Sequence, residues 1–181
     1  DRVSYQIKPI AAGVSPKIIG ATSADDLKLM IDQGYSLYVE GYASKTEAST
    51  TVKKTFRWGF TTATQYKNCE QPASTGSPIL GVVVTNGGTD TTELTTHGDH
   101  FFYDRLKTSS NPAKLTNLRF QEKADADTVT GNNDGEITLE ELRSVSLANL
   151  IDNYDPSGLP ASNLGEFMTA LARTVDQDLA H

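Results

Sequence analysis

The chain has 181 residues, which is enough for one domain with a sizeable core. Hydrophobic residues make up 37% and charged residues 22%, the proportions of a soluble globular protein. The formal net charge of −7 argues against nucleic acid as a partner, because phosphate binding needs clustered Lys and Arg. No run of about 18 apolar residues occurs, so we predict no transmembrane segment. No signal peptide is visible, and this does not argue for a cytoplasmic location.

The first half of the chain has the patterns of β-strands. Alternation of apolar and polar residues indicates half-buried strands, and Thr is frequent here because its branched Cβ suits a pleated surface. One helix is expected between Ser23 and Gly34, with acidic residues in its first turn. Strands are predicted at residues 3–7, 35–42, 51–60, 79–85 and 91–103.

Two smaller features of this half also receive an interpretation. The densest basic stretch, residues 53–57, lies within an alternating strand pattern, so we interpret its charges as an ordinary solvated strand face. Cys69 is the single cysteine, so no disulfide can form within the chain. We interpret Cys69 as a buried or idle thiol; the alternative is a cysteine whose partner lies outside this sequence or has been lost.

The second half is predicted to be helical. A short helix is expected over 115–124, a second from Leu139 to Ser146, and a last one that begins near Asn163. Strands joined by short turns, followed by helices, favour an antiparallel sandwich over a parallel α/β sheet. We therefore predict a single domain, 1–181, that is mainly β with α: an antiparallel β-sandwich over 1–108 and a helical, EF-hand-like segment over 113–181.

An acidic loop at residues 125–141 carries the clearest motif. An EF-hand loop has oxygen ligands at positions one, three, five, seven and twelve, with Gly at six and an apolar residue at eight. Residues of this chain match the second half of that pattern in order. Positions five to eight correspond to Asp134, Gly135, Glu136 and Ile137, and position twelve to Glu141.

The first half of the loop is irregular and leaves two alternatives. Without an insertion, Thr130 and Asn132 take positions one and three. With a bulge at residues 129–133, Asp125 and Asp127 take them, and this reading is favoured because it assembles four carboxylates. The candidate Ca²⁺ ligands are Asp125, Asp127, Asn132, Asp134, Glu136 and Glu141. A helix-loop-helix turn without metal is the alternative.

The calcium site is expected to be structural. Calcium sensors pair two EF-hands and expose a Met-rich groove. This chain has two Met and no second such loop. A site that stabilises the helical half is therefore expected, rather than a switch.

A pair of histidines forms a second candidate metal site. His97, Asp99 and His100 lie within four residues, and His with carboxylate suits zinc or copper. On an extended strand His100 would face away from the other two, whereas a bend after Gly98 would bring all three together. Further ligands could come from Cys69, Asp104 or His181. The alternative is that one histidine makes a buried hydrogen bond and the other is exposed.

Several motifs resemble those of a group of uncharacterised bacterial secreted or lipid-anchored proteins. They cover residues 35–175 and include Trp58-Gly-Phe-Thr-Thr62, Tyr66, Cys69-Glu70, His97-Gly-Asp-His-Phe-Phe-Tyr-Asp104, Arg119-Phe120 and the segment from Asp134 to Leu142. The resemblance implies an exported β-rich domain that carries an EF-hand-like insert. In that group the acidic loop is one compact Asp-rich stretch, which residues 129–133 interrupt in this chain.

These observations favour a binding protein over an enzyme. No activated nucleophile, phosphate loop or acid–base pair is recognisable in the sequence. The main hypothesis is an extracytoplasmic module with a structural calcium site that takes part in surface adhesion or binds a protein or glycan ligand. The alternative hypothesis is a periplasmic copper- or zinc-binding protein that uses His97 and His100.

Overall fold

The computed structural model of the chain describes residues 3–20, 23–71, 79–80, 87–88, 96–105, 119–150, 154–156 and 160–175. Its strands are β1 (Val3–Ile7), β2 (Leu37–Glu47), β3 (Thr50–Phe60), β4 (Thr64–Gln71), β5 (Ile79–Leu80) and β6 (Glu136–Ile137). Its α-helices are α1 (Ala24–Gln33), α2 (Gln121–Asp125), α3 (Leu139–Arg143) and α4 (Leu164–Leu171). Gly98–Phe102 and Leu147–Leu150 form 3₁₀-helices, and Ala126–Thr130 forms a π-helical turn. Strands and helices are both present, and helices contribute as much as strands, which is more than a mainly β chain would have.

Among the residues that the structure describes, the strands form two three-stranded sheets. One has the order β1-β4-β5 and is antiparallel throughout. The other has the order β2-β3-β6. Antiparallel pairing from Leu37↔Phe60 to Glu47↔Thr50 joins β2 and β3, and β6 pairs with β3 in parallel. The prediction of antiparallel strands is thus confirmed, and the second sheet also takes a strand from the helical half.

The side chains of β3 alternate between the core and solvent. Phe56, Trp58 and Phe60 are buried, and Lys53 and Arg57 are exposed. This alternation follows from the two-residue period of a strand. They pack with a buried cluster that includes Phe101, Ile137, Leu142, Leu164, Phe167, Met168, Leu171 and Val175. The hairpin that β2 and β3 form and the helical half of the chain therefore share one hydrophobic core.

Lys54 is the exception on this strand. It lies on the apolar face and is only 8% exposed. The interpretation of residues 53–57 as a solvated strand face is correct for Lys53 and Arg57 and wrong for Lys54. A strand places alternate residues on opposite faces, so the position that puts Phe56 in the core puts Lys54 there too.

Among the described helices, α1, α3 and α4 each have an N-terminal side-chain cap. The Ser23 hydroxyl accepts from the Asp26 amide, and Gly34 ends α1 in the left-handed region at φ 65°. Thr138 and Glu141 form a capping box at α3, and Asn163 caps α4. The predicted helices after Ser23 and Asn163 are confirmed. Among the described residues, no helix is long and apolar enough to cross a membrane.

Two predicted elements differ from the structure. The strand predicted over 91–103 is wrong for residues 98–102, which form a 3₁₀-helix. The His100 amide donates to the His97 carbonyl at 3.2 Å, and this local bond replaces a strand ladder. The helix predicted over 115–124 begins at Gln121 in the described part of the chain; residues 115–118 lie outside the described ranges.

Candidate metal sites

The histidine turn, residues 97–100, brings three metal-ligating side chains together. One ligand atom each from His97, Asp99 and His100 lies within 4.8 Å of the others. The 3₁₀ geometry causes this, because residues three apart eclipse one another in such a helix. The rings of His97 and His100 accordingly stack, with centroids 5.1 Å apart and planes 14° apart.

The turn that follows α4 fixes the orientation of the histidine turn. The His97 amide donates to the Val175 carbonyl oxygen at 2.8 Å. His100 Nδ1 lies 3.0 Å from the Thr174 carbonyl oxygen. Because a carbonyl can only accept, Nδ1 is the donor in this contact, and in the neutral ring Nε2 is then the acceptor nitrogen. A backbone carbonyl that orients a histidine through Nδ1 in this way is a common outer partner of metal-ligating histidines.

His97 and Asp99 complete the group. The Nε2 atom of His97 is buried and has no hydrogen-bond partner among the residues that the structure describes. Leaving a buried polar atom unsatisfied costs about 1–3 kcal/mol, so such an atom needs an explanation. Asp99 is exposed, and its Oδ2 accepts from the Tyr103 hydroxyl at 2.7 Å, which orients the carboxylate.

The other ligands that the sequence suggested do not join this group in the described structure. Cys69 is partly buried in β4. Asp104 is 3% exposed, and its carboxylate lies 3.4 Å from the Arg105 guanidinium and 3.9 Å from that of Arg119. His181 lies outside the described residues. The third ligand atom comes from Asp99, inside the turn itself.

Asp127 is the centre of the acidic loop. It is fully buried, and its carboxylate accepts the backbone amides of Asp134 at 3.0 Å and Gly135 at 3.2 Å. Its Oδ2 also lies 2.5 Å from the Lys54 ammonium. Three charge-assisted hydrogen bonds therefore hold a carboxylate that no water reaches.

A second layer of contacts orders the residues that follow. Asn132 and Asp134 make two hydrogen bonds with each other, at 2.9 and 3.1 Å. Asp134 Oδ1 accepts the Glu136 amide at 2.9 Å. The Glu136 amide first, and then the Asn132 side chain, lower the pKa of Asp134 below its ordinary value. Asp134 is exposed and carries a negative charge at neutral pH.

Glu141 reaches back to the loop from the first turn of α3. Its Oε2 accepts the backbone amide and the hydroxyl of Thr138, each at 2.9 Å. Its Oε1 accepts the Asn132 amide at 3.2 Å. Gly135 has φ 91°, a conformation that side chains rarely adopt, which explains the glycine at this turn.

The structure thus joins most of the predicted calcium ligands and separates one. Asp127, Asn132, Asp134 and Glu141 are connected through hydrogen bonds, and Glu136 takes part through its amide. Asp125 lies on α2, where it accepts from the Gln121 side chain at 2.8 Å. Within the described residues, the loop carboxylates do not converge on one point as the histidine turn does.

Strand β3 supports the loop from the other side. The Thr55 amide donates to the Gly135 carbonyl at 2.9 Å, and the Trp58 indole donates to the Ile137 carbonyl at 2.8 Å. Lys54 belongs to the same strand and was missed as a site residue. The signal for it was a charged residue on the apolar face of a strand.

Comparisons of the chain with protein-family models, curated proteins and solved structures found no match. The likeness to bacterial exported proteins stays a prediction. The chain's own residues therefore carry the functional argument.

Proposed function

We propose that the histidine turn binds one divalent transition-metal ion, zinc or copper. His97 Nε2, His100 Nε2 and the Asp99 carboxylate are the ligands. The approach of one ligand atom from each of these three residues to within 4.8 Å of the others carries the proposal. Ligands about 2.0–2.1 Å from a tetrahedral zinc ion lie about 3.4 Å apart, so modest side-chain rotations would close the site.

The chemistry of each ligand supports this choice. His97 Nε2 is a buried nitrogen without a hydrogen-bond partner in the described structure, and a bound metal ion would satisfy it. The Thr174 carbonyl favours the His100 tautomer with the proton on Nδ1, in which Nε2 is the nitrogen that can coordinate a metal ion. Two imidazoles and one carboxylate favour zinc or copper over calcium and magnesium, which prefer oxygen. Three protein ligands leave a coordination position for a molecule from outside.

Isothermal titration with Zn²⁺ and Cu²⁺ tests the proposal. The wild-type chain should bind one ion, and the double variant His97→Ala/His100→Ala should lose at least about 100-fold in affinity. His181→Ala is the matched control, because it removes the remaining histidine of the chain. Unchanged affinity in the double variant would overturn the proposal.

The hydrogen bonds of Asp127 favour a second candidate function, calcium binding at the acidic loop as an EF-hand-type site. In this reading Asp127 is position one, Asn132 position three and Asp134 position five. The Glu136 carbonyl and the Glu141 carboxylate are positions seven and twelve. Residues 128–131 separate positions one and three, where a regular loop has a single residue.

Thermal melting in millimolar calcium and in chelator tests this second function. Calcium should raise the melting temperature of the wild type, since a ligand that binds only the folded state stabilises it. Glu141→Gln should abolish the effect. Glu140→Gln is the control, because Glu140 is exposed and pairs with Arg143 on the surface. A wild-type melting temperature that calcium leaves unmoved would refute calcium binding.

The broader setting of both sites stays a prediction. The resemblance favours an extracytoplasmic location, at the periplasm, the cell surface or in secreted form, with a protein or glycan ligand. Face-to-face packing of the two sheets as a β-sandwich belongs to the same expectation. Neither metal site depends on these points, because each is built from residues close in space.

A further inference from the structure

Lys54 and Asp127 form an ion pair in the interior of the protein. Lys54 projects from β3, and its side chain is 9% exposed; that of Asp127 is fully buried. The Lys54 ammonium lies 2.5 Å from Asp127 Oδ2. The two residues belong to different elements, so this contact joins the hairpin to the acidic loop.

The position of this lysine needs a physical explanation. Its neighbours on the same face of β3 are Phe56 and Trp58, both in the core. Removing two charges from water is costly, and an apolar pair of similar size is often at least as stable. Lys53, the next residue, is exposed and lies over the Tyr42 ring instead. A lysine at position 54 therefore suggests a role besides packing.

The ammonium lies where the first calcium ligand would offer its oxygen. Both oxygens of Asp127 accept backbone amides, and Oδ2 also contacts Lys54. A divalent ion at the same oxygens would face a strongly repulsive ammonium at close range.

We propose that the Lys54 ammonium competes with calcium for Asp127, so that calcium binds the acidic loop only when Lys54 leaves the carboxylate. This inference rests on the second proposed function. Lys54 thereby sets the calcium concentration at which the loop responds. We expect a dissociation constant near 10⁻⁴–10⁻³ M, the range of extracellular calcium modules.

Displacement of Lys54 would also change the hairpin. Lys54 lies on β3, which pairs with Glu136 and Ile137 of β6. Phe56, two residues further along β3, stacks on Trp58. Loss of the ion pair on calcium binding would therefore alter the environment of β3. The loop and the sheet would respond to calcium together.

Calcium titration of Lys54→Met tests the competition directly. Methionine keeps the length of the side chain and removes its charge, which leaves Asp127 without a cation. The variant should bind calcium at least about tenfold more tightly than the wild type, by isothermal titration. Lys53→Met is the matched control and should bind as the wild type does. Equal affinities of Lys54→Met and the wild type would overturn the inference and leave the calcium site intact.

A measurement on the wild-type chain covers the case in which Lys54→Met does not fold. Acetic anhydride acylates exposed lysines, and mass spectrometry locates the modified residues. Lys54 should be protected in chelator and become at least about fivefold more reactive in saturating calcium, because a lysine released from its partner is accessible to reagent. Lys53 should react equally in both. Continued protection of Lys54 with calcium bound would refute competition, and absence of calcium binding in wild type and variant would refute both the inference and the calcium site.

Discussion

Trp58 donates its indole Nε1–H to the carbonyl oxygen of Ile137 at 2.8 Å, and both side chains are fully buried. The bond joins the hairpin to the acidic loop at the point where β6 pairs with β3. In the described part of the chain, β3 thus contacts the acidic loop both through its backbone pairing with β6 and through the Trp58 side chain.

Removal of this hydrogen bond should destabilise the protein. Trp58→Phe keeps an aromatic ring in the core and leaves the Ile137 carbonyl without its buried donor. The free energy of unfolding should fall by about 1–3 kcal/mol in urea denaturation followed by circular dichroism. Circular dichroism is needed because Trp58 is the only tryptophan. Tyr38→Phe, which removes an exposed hydroxyl bond to Glu40, should change stability by less than about 0.5 kcal/mol. A Trp58→Phe variant as stable as this control would show that the bond contributes nothing.

Patterns short in sequence were predictable, and contacts between distant segments were not. The Ser23 and Asn163 caps and the β3 alternation each depend on residues within one element, so the sequence alone indicates them. The partnership of Lys54 with Asp127 spans 73 positions, and no local pattern encodes it. A bend after Gly98 was predicted only as an alternative to a strand, because aromatic residues such as Phe101 and Phe102 also favour strands, and the 3₁₀ geometry was not predicted.

The close approach of α3 and α4 depends on a glycine. A Cβ on Gly165 would lie 2.4 Å from Arg143 Cγ and 3.0 Å from the Leu139 carbonyl oxygen. Gly165→Ala should therefore lower the free energy of unfolding by about 1–3 kcal/mol, although alanine favours helices. Gly98→Ala is the control, because a Cβ there meets nothing within 4 Å. If urea denaturation shows Gly165→Ala to be stabilising, the two helices can separate at little cost.

Tyr103 should influence metal binding without touching the ion. Its hydroxyl orients the Asp99 carboxylate at 2.7 Å. Tyr103→Phe should weaken zinc binding by about 10- to 100-fold, the usual effect of losing an outer partner of a metal ligand. Tyr38→Phe again serves as control. Asp99→Asn should weaken zinc binding at least as much as Tyr103→Phe does. Zinc affinity unchanged in both variants would remove Asp99 from the ligand set and leave the two histidines.

Lys123 is a buried amine without a buried carboxylate at hydrogen-bond distance in the described structure. Its ammonium donates to the Arg119 carbonyl oxygen at 3.1 Å and the Tyr154 hydroxyl at 3.0 Å. Its side chain is fully buried. Burial lowers the pKa of Lys123 to about 7, against the opposing effect of Glu122 and Asp104. The fold therefore favours the neutral amine relative to the unfolded chain.

This shift predicts a pH dependence of stability with a defined sign. Below the folded pKa of about 7 both states are protonated, and the cost of the buried charge is fully present. As pH rises above that value, the unfolded chain retains its proton and the folded chain does not, so the free energy of unfolding increases. Relative to that of Lys123→Met, the free energy of unfolding of the wild type should rise by about 1 kcal/mol per pH unit between about pH 7.5 and 9.5. Urea denaturation across this range measures the gain. Lys28→Met replaces an exposed lysine, so its free energy of unfolding should change with pH as that of the wild type does. If the free energies of unfolding of Lys123→Met and the wild type change equally with pH, the Lys123 amine is charged in the folded state throughout this range.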